Sequence, residues 1–155
     1  MSGPVPPPLA HVFTAHVAVG PVRTLGPIGI GTRRIIPILG GTVAGPRLNG
    51  TVLDGGADWQ IIRPDGTAAL VARYMLRAED GTLISVVNRG LRRGPPAVLA
   101  RLAAGETVAA DKYYFRASPV FEAPPGPHAW LMGQIFVATG ERRAEQVVIT
   151  VFALG

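Results

Sequence analysis

Apolar and polar residues alternate along much of the chain, most clearly between Thr67 and Ala78. Arg73 and Arg77 mark one face of this segment, and the other face is apolar. The apolar face consists of Ala68, Leu70, Ala72, Tyr74 and Leu76. Alternation with period two is typical of a β-strand with one buried face, so we predict a strand with its arginines outside. The Glu-Asp-Gly turn at 79–81 then predicts a hairpin with a second strand over 82–91.

Similar short segments, rich in β-branched and aromatic residues, recur between turn signals. They cover 11–18, 33–39, 51–54, 58–63, 112–121, 128–139 and 143–154. Most of the 20 glycines and 15 prolines fall between them. One segment differs: PPAVLARLAA at 95–104 predicts a short helix, with proline in its first turn and Gly105 after its end. We expect this helix to cover one end of a sheet.

About nine or ten strands and one helix predict an all-β fold. A sandwich is possible, but we favour a closed up-and-down antiparallel barrel, because closure leaves no exposed strand edges. Residues 1–10 are proline-rich and predict a flexible arm before a single barrel domain at 11–155. The last strand is apolar on both faces, which indicates that the helix or another subunit covers its outer side. We therefore expect a homo-oligomer.

Charge and composition narrow the function classes. The net charge is +5, but 14 of the 15 basic residues are scattered arginines, which argues against a nucleic-acid partner. The sequence contains no apolar run of about 18 residues, so no membrane-spanning helix is predicted. The sequence MSGPVPPPLA lacks the features of a signal peptide, so a cytoplasmic protein is expected. The chain has no cysteine and three histidines without ligand spacing, and it shows no phosphate-binding or dinucleotide motif. We predict neither a metal nor a cofactor.

Asp58 is the first candidate for chemistry. It follows two glycines and precedes Trp59 at the start of a strand. It can cap a turn or pair with an arginine. If it points into an apolar barrel instead, burial would raise its pKa and make it a proton carrier near neutral pH.

Other polar side chains stand among apolar neighbours. Tyr74 lies on the apolar face of its strand, and Asn88 shares a face with Ile84 and Val86. Such groups need hydrogen-bond partners or a wet cavity. Tyr114 and Arg116 share one face of the 112–121 strand.

Arg116 would bind an anion inside a barrel and be solvated outside it. Trp130 and His128 share a face of a later strand. We predict that one cavity is lined by Asp58, Tyr74, Asn88, Tyr114, Arg116 and Trp130, with His128 nearby.

Four runs of the chain resemble the domain-of-unknown-function 3237 family over about residues 11–154. They are GGTVAGPRLNGTVLDGGADWQIIRPDG, ARYMLRAEDGTLISVVNRGLRRGPPAVLARLAAGE, KYYFRASPVFEA and AWLMGQIFVATGERR. The resemblance implies a one-domain β-barrel, often oligomeric, with a central cavity and no settled activity or cofactor. It also stresses the Asp58–Trp59 pair, Tyr74, Asn88 and the YYFR string ending at Arg116. The chain departs from the family pattern at Met132, where many members have asparagine, and at Arg93, where many have histidine.

The leading hypothesis is a cofactor-independent enzyme that performs acid–base chemistry on a small organic molecule: an isomerase, a cyclase or a lyase or hydratase. Asp58 would carry the proton, and Tyr74 and Tyr114 would stabilise an oxyanion. Asn88, Arg116, Trp130, Trp59 and His128 would bind the substrate. The alternative is a non-catalytic, lipocalin-like binding protein, whose cavity would be nearly all apolar.

Overall fold

The computed structural model describes residues 2–155, which form ten β-strands, one α-helix and two 3-10 helices. The strands are β1 (Leu9–Val19), β2 (Arg23–Pro27), β3 (Thr32–Ala44), β4 (Gly50–Val52), β5 (Ala57–Ile62), β6 (Ala68–Ala78), β7 (Leu83–Arg93), β8 (Tyr114–Glu122), β9 (Ile135–Arg142) and β10 (Gln146–Leu154). Helix α1 spans Pro96–Ala103, and the 3-10 helices span Ala110–Lys112 and Ala129–Met132. The helix lies within the segment predicted for it.

The strands close into an antiparallel barrel with eight positions around its wall. From β6 to β10 each strand pairs with the next, and β10 pairs with β1. Strands β4 and β5 share the position between β3 and β6. Strand β2 continues β1 along β3, and the β1–β3 pairing closes the circle. The predicted closed up-and-down barrel is confirmed.

Alternation along each strand sorts the side chains, as in other small barrels. On β6 the predicted apolar face is buried inside the barrel, and Arg73 and Arg77 are exposed. Three phenylalanines pack edge to face inside the barrel, with ring centroids 6.0 Å apart for Phe13–Phe121 and 5.0 Å for Phe121–Phe136. Such contacts seal the part of the barrel farthest from α1.

Helix α1 follows the end of β7 and covers the opposite opening. Leu102 is buried there, and Leu99 is half-buried against the core. We call this opening the mouth of the barrel. Within residues 2–155, no helix is both long enough and apolar enough to cross a membrane.

Part of the outer wall remains apolar. Val120 and Ile135 are each 65% exposed, and Leu9 is 54% exposed. This exposed surface is what the expected homo-oligomer would cover, and the oligomer stays a prediction.

Candidate active site

Two adjoining cavities occupy the barrel interior and its mouth. The inner cavity has a volume of about 40 Å³. Every position around the wall contributes to its lining, which consists of Val17, Val19, Ile36, Ile38, Asp58, Gln60, Leu70, Ala72, Tyr74, Asn88, Arg92, Phe115, Arg142, Val147 and Ile149. The outer cavity, at the mouth, has a volume of about 330 Å³ and contacts α1. Arg92 and Arg142 line both cavities and therefore form the boundary between them.

Asp58 points into the inner cavity from β5. Its Oδ2 accepts a hydrogen bond from Gln60 Nε2 over 2.8 Å. Gln60 Oε1 in turn accepts one from Arg34 Nη2 over 2.7 Å. The other carboxylate oxygen, Oδ1, is buried and has no hydrogen-bond partner among residues 2–155. Asp58 therefore presents one oxygen that is held in place and one that is available to a ligand.

The small side chain of Ala72 makes room beside this carboxylate. Asp58 pairs with Ala72 across β5 and β6, and Ala72 pairs with Asn88 across β6 and β7. Side chains in one such row lie on the same face of the sheet. Asp58 and Asn88 therefore flank an alanine, which leaves space between them. Asn88 is only 3% exposed, and its Oδ1 has no hydrogen-bond partner in the described part of the chain.

Burial raises the pKa of the Asp58 carboxyl, because the charged form loses hydration. The hydrogen bond from Gln60 and the positive charges of Arg92, Arg34 and Arg142 oppose this shift without cancelling it. A carboxyl whose pKa lies above the usual range can both give and accept a proton closer to neutral pH.

Tyr74 lines the same cavity and is almost completely buried. Burial, together with the Asp58 carboxylate, raises the pKa of its phenol. Tyr74 therefore stays protonated and can donate a hydrogen bond to an oxygen that gains negative charge.

Three arginines meet at the boundary of the cavities, and we call them the arginine trio: Arg34 on β3, Arg92 on β7 and Arg142 on β9. Burial is the first cause that lowers the pKa of each guanidinium. For Arg92 the other two arginines lower it further, to about 10. All three remain positively charged at neutral pH. The backbone N–H of Arg142 also donates to the buried Tyr113 hydroxyl over 2.9 Å.

The structure brings Asp58, Tyr74 and Asn88 together, but it places Tyr114 and Arg116 elsewhere. Both lie on the outer face of β8, where the Arg116 guanidinium is 5.7 Å from the Tyr114 ring centroid. The prediction that they share the cavity was wrong. Phe115 and Ala117 are buried on the inner face of β8, so period two turns their neighbours outward.

Trp59 also lies outside the cavity. It is 45% exposed on the outer face of β5, and the Arg33 guanidinium lies 5.8 Å from its ring centroid. Its direct sequence neighbours Asp58 and Gln60 point inward, so the alternation of the strand turns Trp59 outward.

Trp130 and His128 lie near the end of the barrel opposite α1. Trp130 packs on Phe136 with centroids 5.7 Å apart, and the Arg47 guanidinium stacks 3.6 Å above its ring. His128 Nε2 lies 3.0 Å from Asp80 Oδ2 in the β6–β7 turn. Trp130 was wrongly placed in the shared cavity, because a 3-10 helix rather than a strand carries it.

Gln60 and the arginine trio were not anticipated as site residues. For three of them the alternation of the strand is a usable signal, because residues an even number of positions apart share a face. Arg92 lies four positions after Asn88, Gln60 lies two after Asp58, and Arg34 lies two before Ile36. Among residues 2–155, no three histidine, aspartate or glutamate side chains form a group that could hold a metal ion.

A closed up-and-down barrel with a carboxylate, a tyrosine and arginines inside its covered end defines a small β-barrel protein whose mainly apolar internal cavity holds a few polar groups. Within that class, the chain belongs to the family described as "Protein of unknown function (DUF3237)", whose model matches residues 7–154. A UPF0311 protein from Rhodopseudomonas palustris is 45% identical over 141 residues, which are 91% of this chain and 92% of the relative. The crystal structure of a conserved R. palustris protein of unknown function has a TM-score of 0.92 and 44% identity, over 96% of this chain and 99% of that one.

A fungal relative has a named activity. The "Hydroalkoxylation enzyme phnH" of Penicillium herquei is 33% identical over 87 residues, which are 56% of this chain and 58% of that protein. A crystal structure of an enzyme from the same fungus has a TM-score of 0.74 at 20% identity, over 100% of this chain and 99% of that one, and shows the shared fold.

Proposed function

We propose that this protein is an enzyme that moves a proton within a small organic molecule bound in the barrel, with Asp58 as the proton carrier. The observation that carries the proposal is the buried Asp58 Oδ1, which faces the inner cavity without a hydrogen-bond partner among residues 2–155. A carboxylate oxygen kept in this state destabilises a fold. A function that needs a proton acceptor explains why the site retains it.

The reaction class is an addition or isomerisation. Asp58 Oδ1 removes a proton from an O–H or C–H group and returns it to carbon. Tyr74 donates a hydrogen bond to the oxygen that gains charge. Asn88 Oδ1 accepts a hydrogen bond from a substrate donor and orients the substrate.

The relative's printed activity supports this class. A hydroalkoxylation adds an alcohol O–H across a C=C bond: the O–H bond and the π bond break, and one C–O and one C–H bond form. The reaction needs no electron donor or acceptor, and one residue that accepts and then returns a proton suffices. The same chemistry within one molecule is a cyclisation.

The position of Asp58 also separates this proposal from a lipocalin-like carrier. A carrier of apolar ligands needs no ionisable group inside its cavity, and Asp58 points inward beside Gln60 and Asn88. The chemistry does not involve Tyr114, Arg116, Trp59, Trp130 or His128, because they lie outside the cavity.

The test uses alkenyl phenols such as 2-allylphenol, incubated with the protein in D₂O. Cyclisation gives an isomer of equal mass except for one deuterium on carbon, which mass spectrometry detects. Asp58→Asn should abolish this product and keep the fold by circular dichroism. The control is Asp54→Asn, which removes an exposed carboxylate nearby and should retain full activity.

Full activity in Asp58→Asn would refute the assignment. Unfolding of that variant would instead show that Asp58 has a structural role.

A further inference from the structure

The proton-transfer chemistry leaves the arginine trio without a role. We propose that the trio binds an anionic oxygen group of the ligand, so that the substrate is an organic acid. Its acid group would lie at the boundary of the two cavities, and its reactive group would reach Asp58. This inference rests on the proposed function for the part played by Asp58 and adds the class of substrate.

The charges at the site do not balance. Asp58 is the carboxylate whose charge raises the pKa of all three guanidinium groups. An ionised Asp58 therefore leaves two positive charges uncompensated, and a protonated one leaves three. Like charges held close together in a partly buried site repel each other strongly. A bound anion removes this repulsion.

The trio also offers free hydrogen-bond donors. Arg34 Nε and Arg142 Nη1 are buried and have no partner among residues 2–155. Arg34 uses Nη2 to hold Gln60, over 2.7 Å. A guanidinium is donor-only, and its fork matches the two oxygens of a carboxylate. The unmet groups at this boundary are therefore donors of the kind that an oxyanion satisfies.

Deeper in the barrel, the polar atoms without a partner are hydrogen-bond acceptors rather than donors. Asp58 Oδ1 and Asn88 Oδ1 are buried acceptors without a partner in the described chain. Together with the donors above them, they define a ligand with an anionic acceptor at one point and a hydroxyl or another donor at a second. A hydroxy acid has both groups.

Beside the arginines, the mouth supplies four apolar side chains that the rest of the molecule can contact. Val22, Ile62, Leu99 and Leu102 line the outer cavity together with the trio. Its volume of about 330 Å³ lies within the range of small-molecule sites, roughly 300–1,000 Å³. The inner cavity, at about 40 Å³, has room for only a few waters or a small reactive group. The acid group therefore lies between the body of the ligand and its reactive end.

The test compares three probes of the same ring: benzoate, its neutral isostere benzamide, and phenyl phosphate. Binding is followed by ¹H–¹⁵N correlation spectra at constant ionic strength. Benzoate should bind at least about tenfold more tightly than benzamide, as expected for charge-assisted hydrogen bonds. If phenyl phosphate binds more tightly than benzoate, the natural acid group is a phosphate ester; the reverse order indicates a carboxylate.

The variants locate the site. Arg142→Gln should weaken benzoate binding about tenfold or more and leave benzamide unaffected. Arg142→Lys keeps the charge, loses the fork and should fall in between. Arg73→Gln makes the same charge change on the exposed face of β6 and should bind benzoate like the native protein.

Equal affinity for benzoate and benzamide, or unchanged benzoate binding in both Arg142 variants, would overturn the inference. Its failure is distinguishable from that of the proposed function. If the protein binds benzoate but transfers no proton, it is an acid-binding carrier and the proposed function fails. If it acts on neutral alkenyl phenols but does not bind benzoate, it is an enzyme whose substrate has no acid group.

Discussion

Gln60 Nε2 donates a hydrogen bond to Asp58 Oδ2 over 2.8 Å while Gln60 Oε1 accepts one from Arg34 Nη2 over 2.7 Å. One buried amide, itself only 1% exposed, thus connects the proposed proton carrier to the arginine trio. It holds one oxygen of the carboxylate and leaves Oδ1 to the ligand. The amide sets the orientation of both groups, because its donor and its acceptor are each engaged.

Gln60→Met should test this connection, because it keeps the length of the side chain and removes both hydrogen bonds. The pKa of Asp58 should rise further, since the hydrogen bond from Gln60 is the largest influence that lowers it. The free energy of unfolding should fall by about 1–3 kcal/mol, the usual cost of leaving buried polar groups unpaired. Carboxyl ¹³C titration and urea denaturation measure the two effects.

The matched control is Gln134→Met, whose exposed amide makes one long contact of 3.5 Å to Leu154 O. It should change neither quantity. An unchanged Asp58 pKa in Gln60→Met would show that the amide does not stabilise the carboxylate.

The raised pKa of Asp58 predicts how stability depends on pH. Above about pH 4 the unfolded chain has lost the Asp58 proton, whereas the folded chain still holds it up to its higher pKa. The folded state binds more protons than the unfolded state in this window, so the free energy of unfolding falls as pH rises towards the folded pKa. In Asp58→Asn this fall should be absent. The free energy of unfolding of the variant should therefore increase relative to that of the native protein as pH rises.

Urea denaturation of both proteins at a series of pH values measures the difference directly. Subtracting the two curves removes the contributions of Asp65 and Asp80, whose pKa values are lowered and which act in the opposite direction. Two parallel curves would mean that burial does not raise the Asp58 pKa.

The barrel could be predicted from the sequence because period two is a local signal that each strand repeats. The faces of β6 follow directly from its alternating arginines. The sequence could not predict that β4 and β5 share one wall position between β3 and β6, because this depends on which strands meet in space. The same limit affected the start of β8, where Tyr114 follows Tyr113 and the local pattern does not show which of the two aromatic side chains points inward.

The site was predicted only in part for a related reason. Asp58, Tyr74 and Asn88 stand out because polar groups on apolar faces need partners. Arg34, Arg92 and Arg142 lie at strand ends next to turns, where an arginine is normally solvated. Their convergence at the mouth follows from barrel closure, which brings β3, β7 and β9 together beneath α1.

Gly140→Ala should show how tightly the cavity wall is packed. A Cβ at this position of β9 would lie 2.6 Å from three ring carbons of Phe115, which lines the inner cavity. The ring must move, and overpacking of this kind costs about 1–3 kcal/mol. Gly133→Ala is the control, because its new Cβ meets its nearest atom, Trp130 O, at an ordinary 3.6 Å.

Urea denaturation gives the difference in stability, and the aromatic NMR signals report on the ring. If Gly140→Ala were as stable as Gly133→Ala, the Phe115 ring would have free space on its other side. The wall of the cavity would then be able to yield to a ligand.

Arg92→Met should increase the free energy of unfolding by about 1 kcal/mol or more. Burial and the two other arginines hold the pKa of Arg92 at about 10, below its ordinary value, so its charged form is disfavoured in the folded state. Methionine keeps an apolar stem near the Phe115 ring, which lies 5.7 Å from the guanidinium. Arg34 and Arg142 would still face Asp58.

The same variant should lose benzoate binding, so that stability and binding change in opposite directions. A functional site that holds repelling charges shows this trade-off, whereas a structural ion network does not. Thermal unfolding with and without benzoate measures both effects, since a ligand stabilises only the protein that binds it. Arg73→Met, on the exposed face of β6, should leave both unchanged. If Arg92→Met instead loses stability, the trio and Asp58 are a structural network that neutralises itself.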